Sequence, residues 1–236
     1  MRTHKGTFGL RLWKDHQFKE YFADRFQKAL LDEDVVVFRA SSLGKYVSGP
    51  GLHLTRVGLE SDWALLADCK PMPRRRAEED YTVIQLVSVF VLKLGQRYLT
   101  YKRTKRLPES RLHGRYSLAF GGHLNPRDIA PMFGVFQPEL SGPFLRRELS
   151  EEVRLPEDQP LSLSYRGLLY DNSVELSSQH LGIVYDVILG SENYEIGERG
   201  FLMDPKLETL DQIEARLGDF ENWSVLIAKA ERSRWG

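Results

Sequence analysis

At 236 residues the chain can form one large domain, or one domain with a substantial extension. Hydrophobic residues at 42% can build a sizeable core, and 33 Lys+Arg balance 33 Asp+Glu, so no global charge draws the protein to nucleic acid or to an anionic membrane. The single cysteine, Cys69, excludes an internal disulfide and fits a reducing compartment, where it reads as a small buried residue.

Residues 14–31 place Phe18, Phe22, Phe26, Ala29 and Leu30 at helical spacing, which predicts an amphipathic helix. A short strand is expected at 35–39, a Ser/Gly/Pro-containing loop at 41–51, and further strands at 52–59 and 63–67. Residues 70–80 combine Pro71, Pro73, Arg74-Arg75-Arg76 and Glu78-Glu79-Asp80, and read as a linker or exposed turn. A boundary there divides the chain into an N-terminal α/β extension or subdomain, 1–80, and a second domain, 81–236.

Beyond residue 80 the pattern is rich in strands. The run 83–94 has the β-branched, apolar character of a buried strand. Gln85, Ser88 and Lys93 interrupt it, so it is no membrane span. With no apolar signal segment at the N-terminus, the expected location is the cytoplasm. Gly95-Gln96 is a tight turn and 97–103 the returning strand. A strand at 116–120 leads into Gly121-Gly122. Strands are expected at 164–170, 181–189 and 201–203, and helices at 210–217 and 220–232, the last with Trp223, Leu226, Ile227 and Ala230 inward.

Between the glycines and the later strands, 143–154 reads as a helix with Pro143 at its first position. On it Glu148, Glu151 and Glu152 are related by three and four positions and share a face. Leu145, Leu149 and Val153 recur every four residues as the adjacent apolar stripe. Three neighbouring carboxylates repel one another unless a cation lies between them, and hard oxygen donors in that number suit Mg²⁺ or Mn²⁺. The pattern Glu139-x7-Arg147-Glu148-x-x-Glu151-Glu152 fixes five positions, a coincidence on the order of one in a thousand over this length.

This stretch resembles the Nudix box, G-x5-E-x7-R-E-U-x-E-E-x-G-U with U aliphatic. Glu139, Arg147, Glu148, Leu149, Glu151, Glu152 and Leu155 match it. Arg154 stands where the family has its last glycine, so the helix exit must differ from the usual left-handed turn. Seventeen positions separate Gly122 from Glu139 where the family has six, so eleven residues are inserted. The order of elements over 81–232 resembles the family's, and the resemblance implies an α+β fold, a mixed β-sheet sandwiched between helices.

The resemblance also implies a chemistry: hydrolysis of a nucleoside diphosphate or triphosphate linked to a group X, with Mg²⁺ or Mn²⁺ held by Glu148, Glu151 and Glu152. Any one of the three can instead be the general base. Arg147 and Glu139 occupy the positions whose pairing orients the box. A further metal-site acid is expected from a downstream loop, with Glu195 and Glu198 the candidates and Glu198 the preferred one. Gly121, Gly122 and His123, with Arg103, Arg106 and Arg111, are candidates for substrate contact; for His123 a structural hydrogen bond is the alternative. The expected partner is a small-molecule nucleotide, with no membrane or nucleic acid, and a homodimer is compatible. The inserted stretch carries Ile129, Met132, Phe133, Val135 and Phe136, too apolar for an idle loop, and is expected to cover the rim of the substrate cleft, with or without a second subunit. The competing reading is a Nudix-type sensor that binds a nucleotide such as ADP-ribose without turnover and signals through 1–80. The three intact glutamates favour the hydrolase.

Overall fold

The computed structural model describes residues 33–54, 59–105, 112–126, 146, 149–150, 152–156, 161–196 and 202–235. In chain order its elements are β1 (Asp34–Arg39), β2 (Gly51–His53), α1 (Leu59–Asp68), β3 (Lys70–Pro73), α2 (Arg74–Glu79), β4 (Val83–Leu94), β5 (Arg97–Arg103), β6 (Tyr116–Ser117), β7 (Val153–Arg154), β8 (Leu161–Tyr170), α3 (Glu175–Ser178), β9 (His180–Leu189), β10 (Glu195–Ile196), β11 (Leu202–Thr209), α4 (Leu210–Glu214) and α5 (Asn222–Trp235). The predicted helix at 14–31 lies outside the described residues.

Among the described residues nine strands form one mixed sheet, ordered β11-β5-β4-β9-β8-β2, with β1 on β4, β3 on β1 and β6 on β5. β4 is its centre. It runs parallel to β9, Gln85 opposite His180 through Lys93 opposite Ile188, and every residue of it but Leu94 is buried. Even Gln85, Ser88 and Lys93, which interrupt the apolar run, lie inside. Alternation sends Ile84, Leu86, Phe90 and Leu92 to one face, against Leu65 and Leu66 of α1 and against Leu149 and Val153. Val87, Val89 and Val91 point to the other, against Ile213 of α4 and Ile227 and Ala228 of α5. Further along this second face Val83 joins Val35, Val37, Met72 and Ala77 of α2. Each Val, Leu, Ile, Phe or Met among them contributes about 1.5–3 kcal/mol by its burial. The sheet is thus sandwiched between helices, as expected.

Several expected elements are corrected. The strand at 63–67 is the end of α1; Leu59–Asp68 contains no β-branched residue and is built from Ala, Leu and acidic positions that favour a helix. The strand at 52–59 is confined to Gly51–His53 before α1 begins, and the loop at 41–51 starts as a 3-10 helix, Ala40–Lys45. The supposed linker at 70–80 is β3 and α2, with Met72 and Ala77 buried. Pro71 and Pro73 are tolerated because, among the described residues, β3 pairs with β1 alone, as an edge strand. β1 pairs with β4 and β2 with β8, so residues before 80 lend strands to the same sheet as those after it. Cys69 is half-buried, its thiol donating to the Leu65 carbonyl at 3.2 Å. Burial and nearby Asp68 push the thiol up to about 12, which leaves it unreactive. Among the described residues no helix is long and apolar enough to cross a membrane.

Candidate active site

The described part of the acidic helix begins from its apolar side. Leu149 and Val153 are almost fully buried in the core, and Leu155 packs against it. This is the stripe expected from the four-residue recurrence; Leu145 lies outside the described residues. The helix ends before 154. Residues 149, 150 and 152 are helical, but Val153–Arg154 is already β7. No glycine provides a left-handed exit here, and the chain leaves extended, pairing antiparallel with β10: Ile196 opposite Val153, Glu195 opposite Arg154. Glu195, one of the two downstream acids considered, is thereby brought to the strand that leaves the helix.

Glu152 is half-buried and immediately precedes that strand. Its charge reaches Tyr101 of β5, a fully buried ring whose hydroxyl donates to the Ala119 carbonyl at 2.8 Å. Burial raises the Tyr101 hydroxyl, Arg103 opposes it and Glu152 adds to it, with a net rise to about 12. Arg103 ends β5 with its guanidinium 5.4 Å from the Tyr101 ring centroid. Arg103 and Glu152, one candidate for the phosphates and one for the cation, thus meet at Tyr101. Glu139, Arg147, Glu148, Glu151, Glu198, Arg106 and Arg111 lie outside the described residues. Among the described residues no group of three or more His, Cys, Asp or Glu is placed to hold a metal ion.

The glycine pair has two distinct local roles. Residues 120–124 run beside β4: Phe120 and Phe90 exchange hydrogen bonds, the Gly122 carbonyl accepts from the Ser88 N–H at 2.9 Å, and the Leu124 N–H donates to Leu86. The expected strand at 116–120 is therefore β6 followed by this looser pairing. Gly121 presses on β4 so closely that a Cβ would stand 1.8 Å from the Ser88 carbonyl oxygen, whereas a Cβ on Gly122 would meet nothing within 4 Å. Gly121→Ala is expected to lower the urea midpoint, at a cost of about 1–3 kcal/mol, and Gly122→Ala to stay near wild type. Equal midpoints for the two variants would contradict this packing.

His123 bridges Val87 and so shares the face of α4 and α5, while Leu124 points to the face of Leu149 and Val153. Its Nε2 lies 3.2 Å from Nε2 of His180, a residue the sequence did not single out. Of the apolar insertion, only His123, Leu124, Asn125 and Pro126 fall among the described residues, and Leu124 is buried in the core.

No family model matches the chain. Over 115 residues, 49% of its length, it is 33% identical to Protein YmaB of Bacillus subtilis (strain 168), and the match spans 54% of YmaB. Among solved structures, Tm1382, a candidate Nudix hydrolase, superposes with a TM-score of 0.65 at 27% identity, over 84% of this chain and 97% of Tm1382. A mixed sheet between helices, with the box segment seated on it through Leu149 and Val153, is the Nudix fold. The chain has the fold of the Nudix superfamily.

Proposed function

We propose that the protein is a divalent-cation-dependent hydrolase that cleaves the phosphate chain of a nucleoside diphosphate or triphosphate linked to another group. The observation that carries this reading is the seat of the box: Leu149 and Val153 anchor it in the core, and Glu152 stands half-buried within electrostatic reach of the Tyr101–Arg103 pair. Water adds to a phosphorus, one phosphoanhydride P–O bond breaks, and two phosphate-terminated products leave. Glu148, Glu151 and Glu152, with Glu198, would hold Mg²⁺ or Mn²⁺, a match of hard donors to a hard cation. When bound, the cation offsets diphosphate charge and lowers the pKa of the attacking water. One box carboxylate takes the water's proton, Arg147 and Glu139 orient the box, and Arg103, Arg106 and Arg111 supply guanidinium forks for the phosphates. Gly121 and Gly122 border the substrate.

In this reading 81–236 is the catalytic portion, 1–80 is the extension that completes its sheet, and the 123–138 insertion forms the cleft rim and filters the group X. One cysteine and a balanced charge fit work in the cytoplasm on a small nucleotide. The test is a panel of nucleotide-linked diphosphates and triphosphates incubated with Mg²⁺ and read by product chromatography. At least one substrate is expected to yield two phosphate-terminated products, to stop on chelation and to resume when Mg²⁺ is restored. Tight nucleotide binding with no product across the panel would overturn the hydrolase and favour a sensor.

A further inference from the structure

The sheet face turned away from the box helix carries two imidazoles that the proposed reaction does not use. His123 follows the glycine pair and bridges Val87 on one side of β4. His180 opens β9 and stands opposite Gln85 on the other side of β4. The two rings meet over the central strand, with Nε2 3.2 Å from Nε2 and centroids 5.2 Å apart at 67°. Nitrogens so placed share one hydrogen, and one ring donates while the other accepts. A second proton would set two N–H groups against each other and break the bond.

The surroundings keep His123 neutral. Burial, the Arg74 guanidinium of α2 and His180 itself all disfavour charge on His123 and hold it well below the ordinary imidazole range. Arg74 is already paired with Glu78 at 2.8 Å. The β4 residues beneath the rings, Gln85 and Val87, carry no charge.

We propose that His123 and His180 form a neutral clasp that ties the Gly121-Gly122 turn to β9, and that His180 is a positioning residue for the substrate site, acting through His123. This rests on the reading that the glycine turn borders the phosphates. The backbone on both sides of His123 is held to β4 through Gly122 and Leu124. A clasp reaching past β4 to β9 fixes the remaining freedom, the tilt of the turn against the sheet. Its pH dependence has a definite sign. The unfolded chain takes up a proton on His123 from about pH 6.5 downward and the folded ring resists it, so the clasp contributes fully above that pH and weakens below it.

Two measurements decide the proposal. In ¹⁵N-labelled protein near neutral pH, long-range imidazole spectra are expected to show one ring protonated at Nε2 and the other at Nδ1. His180→Leu is expected to raise KM about fivefold for a substrate found in the nucleotide panel, the worth of one hydrogen bond, with kcat little changed. His180→Gln, whose amide can donate to the same nitrogen, is expected to restore KM and to flatten its rise toward acid pH. Two rings in the same tautomer, or titrating independently at the ordinary value, overturn the clasp whether or not any nucleotide is hydrolysed. A clasp present in the spectra with wild-type KM in His180→Leu overturns the positioning role. If no nucleotide is turned over, the hydrolase reading fails, and nucleotide affinity replaces KM in the same comparison.

Discussion

Replacing Glu152 with Gln is expected to lower turnover by about 10²–10⁴-fold while leaving thermal unfolding close to wild type. The substitution keeps the side chain's size and removes one negative charge. Its backbone is pinned from the next residue on, because Val153 is fully buried and paired with Ile196. The fold therefore has little cause to respond. In the proposed reading Glu152 holds the cation together with Glu148 and Glu151, so removing its charge removes a metal donor. The loss should appear in kcat, together with a higher Mg²⁺ concentration for half-maximal rate. Wild-type turnover by Glu152→Gln, in protein stripped with chelator and resupplied with Mg²⁺, would remove Glu152 from the site.

Much of the sheet is legible in the sequence. β4 and β5 fall where the β-branched run and its returning strand predict, joined at Gly95, whose φ of +59° suits a tight turn. The box helix was legible from its spacing, because Leu149 and Val153 recur with the period that buries one stripe. What escaped has physical causes. α1 hid because its apolar residues, Trp63 through Ala67, form a run too short to show a period. β3 hid because two prolines usually mark a loop, and only an edge position excuses them. β7 and β10 are two residues each, and nothing in the sequence announces a pairing of 153–154 with 195–196. His180 carried no metal-ligand spacing, so its partnership with His123 could come only from the β4–β9 register. Lys93 read as a mere interruption of an apolar strand; its partner Glu231 is 138 residues away.

That partner is the subject of the second large effect. Glu231→Gln is expected to cost about 3–5 kcal/mol of stability, read as a fall in the urea midpoint. Glu231 lies on α5 and is 1% exposed. Its carboxylate accepts from the Tyr98 hydroxyl at 2.6 Å and pairs with Lys93 at 3.0 Å and with Arg166. Lys93 also pairs with Asp186 at 2.9 Å, and Arg234 approaches Asp186 at 3.4 Å. The network ties the last helix to β4, β8 and β9. Gln at 231 would leave buried Lys93 and Arg166 to share Asp186 alone, and an uncompensated buried charge is far costlier than a missing ion pair as such. The acid side follows from the same contacts. Burial pushes the Glu231 carboxyl up, but the Tyr98 hydroxyl, Arg166 and Lys93 outweigh it, so the folded value lies below the ordinary one. A depressed carboxyl contributes its full stability above the unfolded value of about 4.3 and loses it as pH falls through the folded value. Wild type is therefore expected to lose stability progressively below about pH 4.3, and Glu231→Gln to lose less over the same range from its lower starting point. A Glu231→Gln midpoint within experimental error of wild type, or an identical acid slope in both proteins, would show that the network does not hold α5 to the sheet.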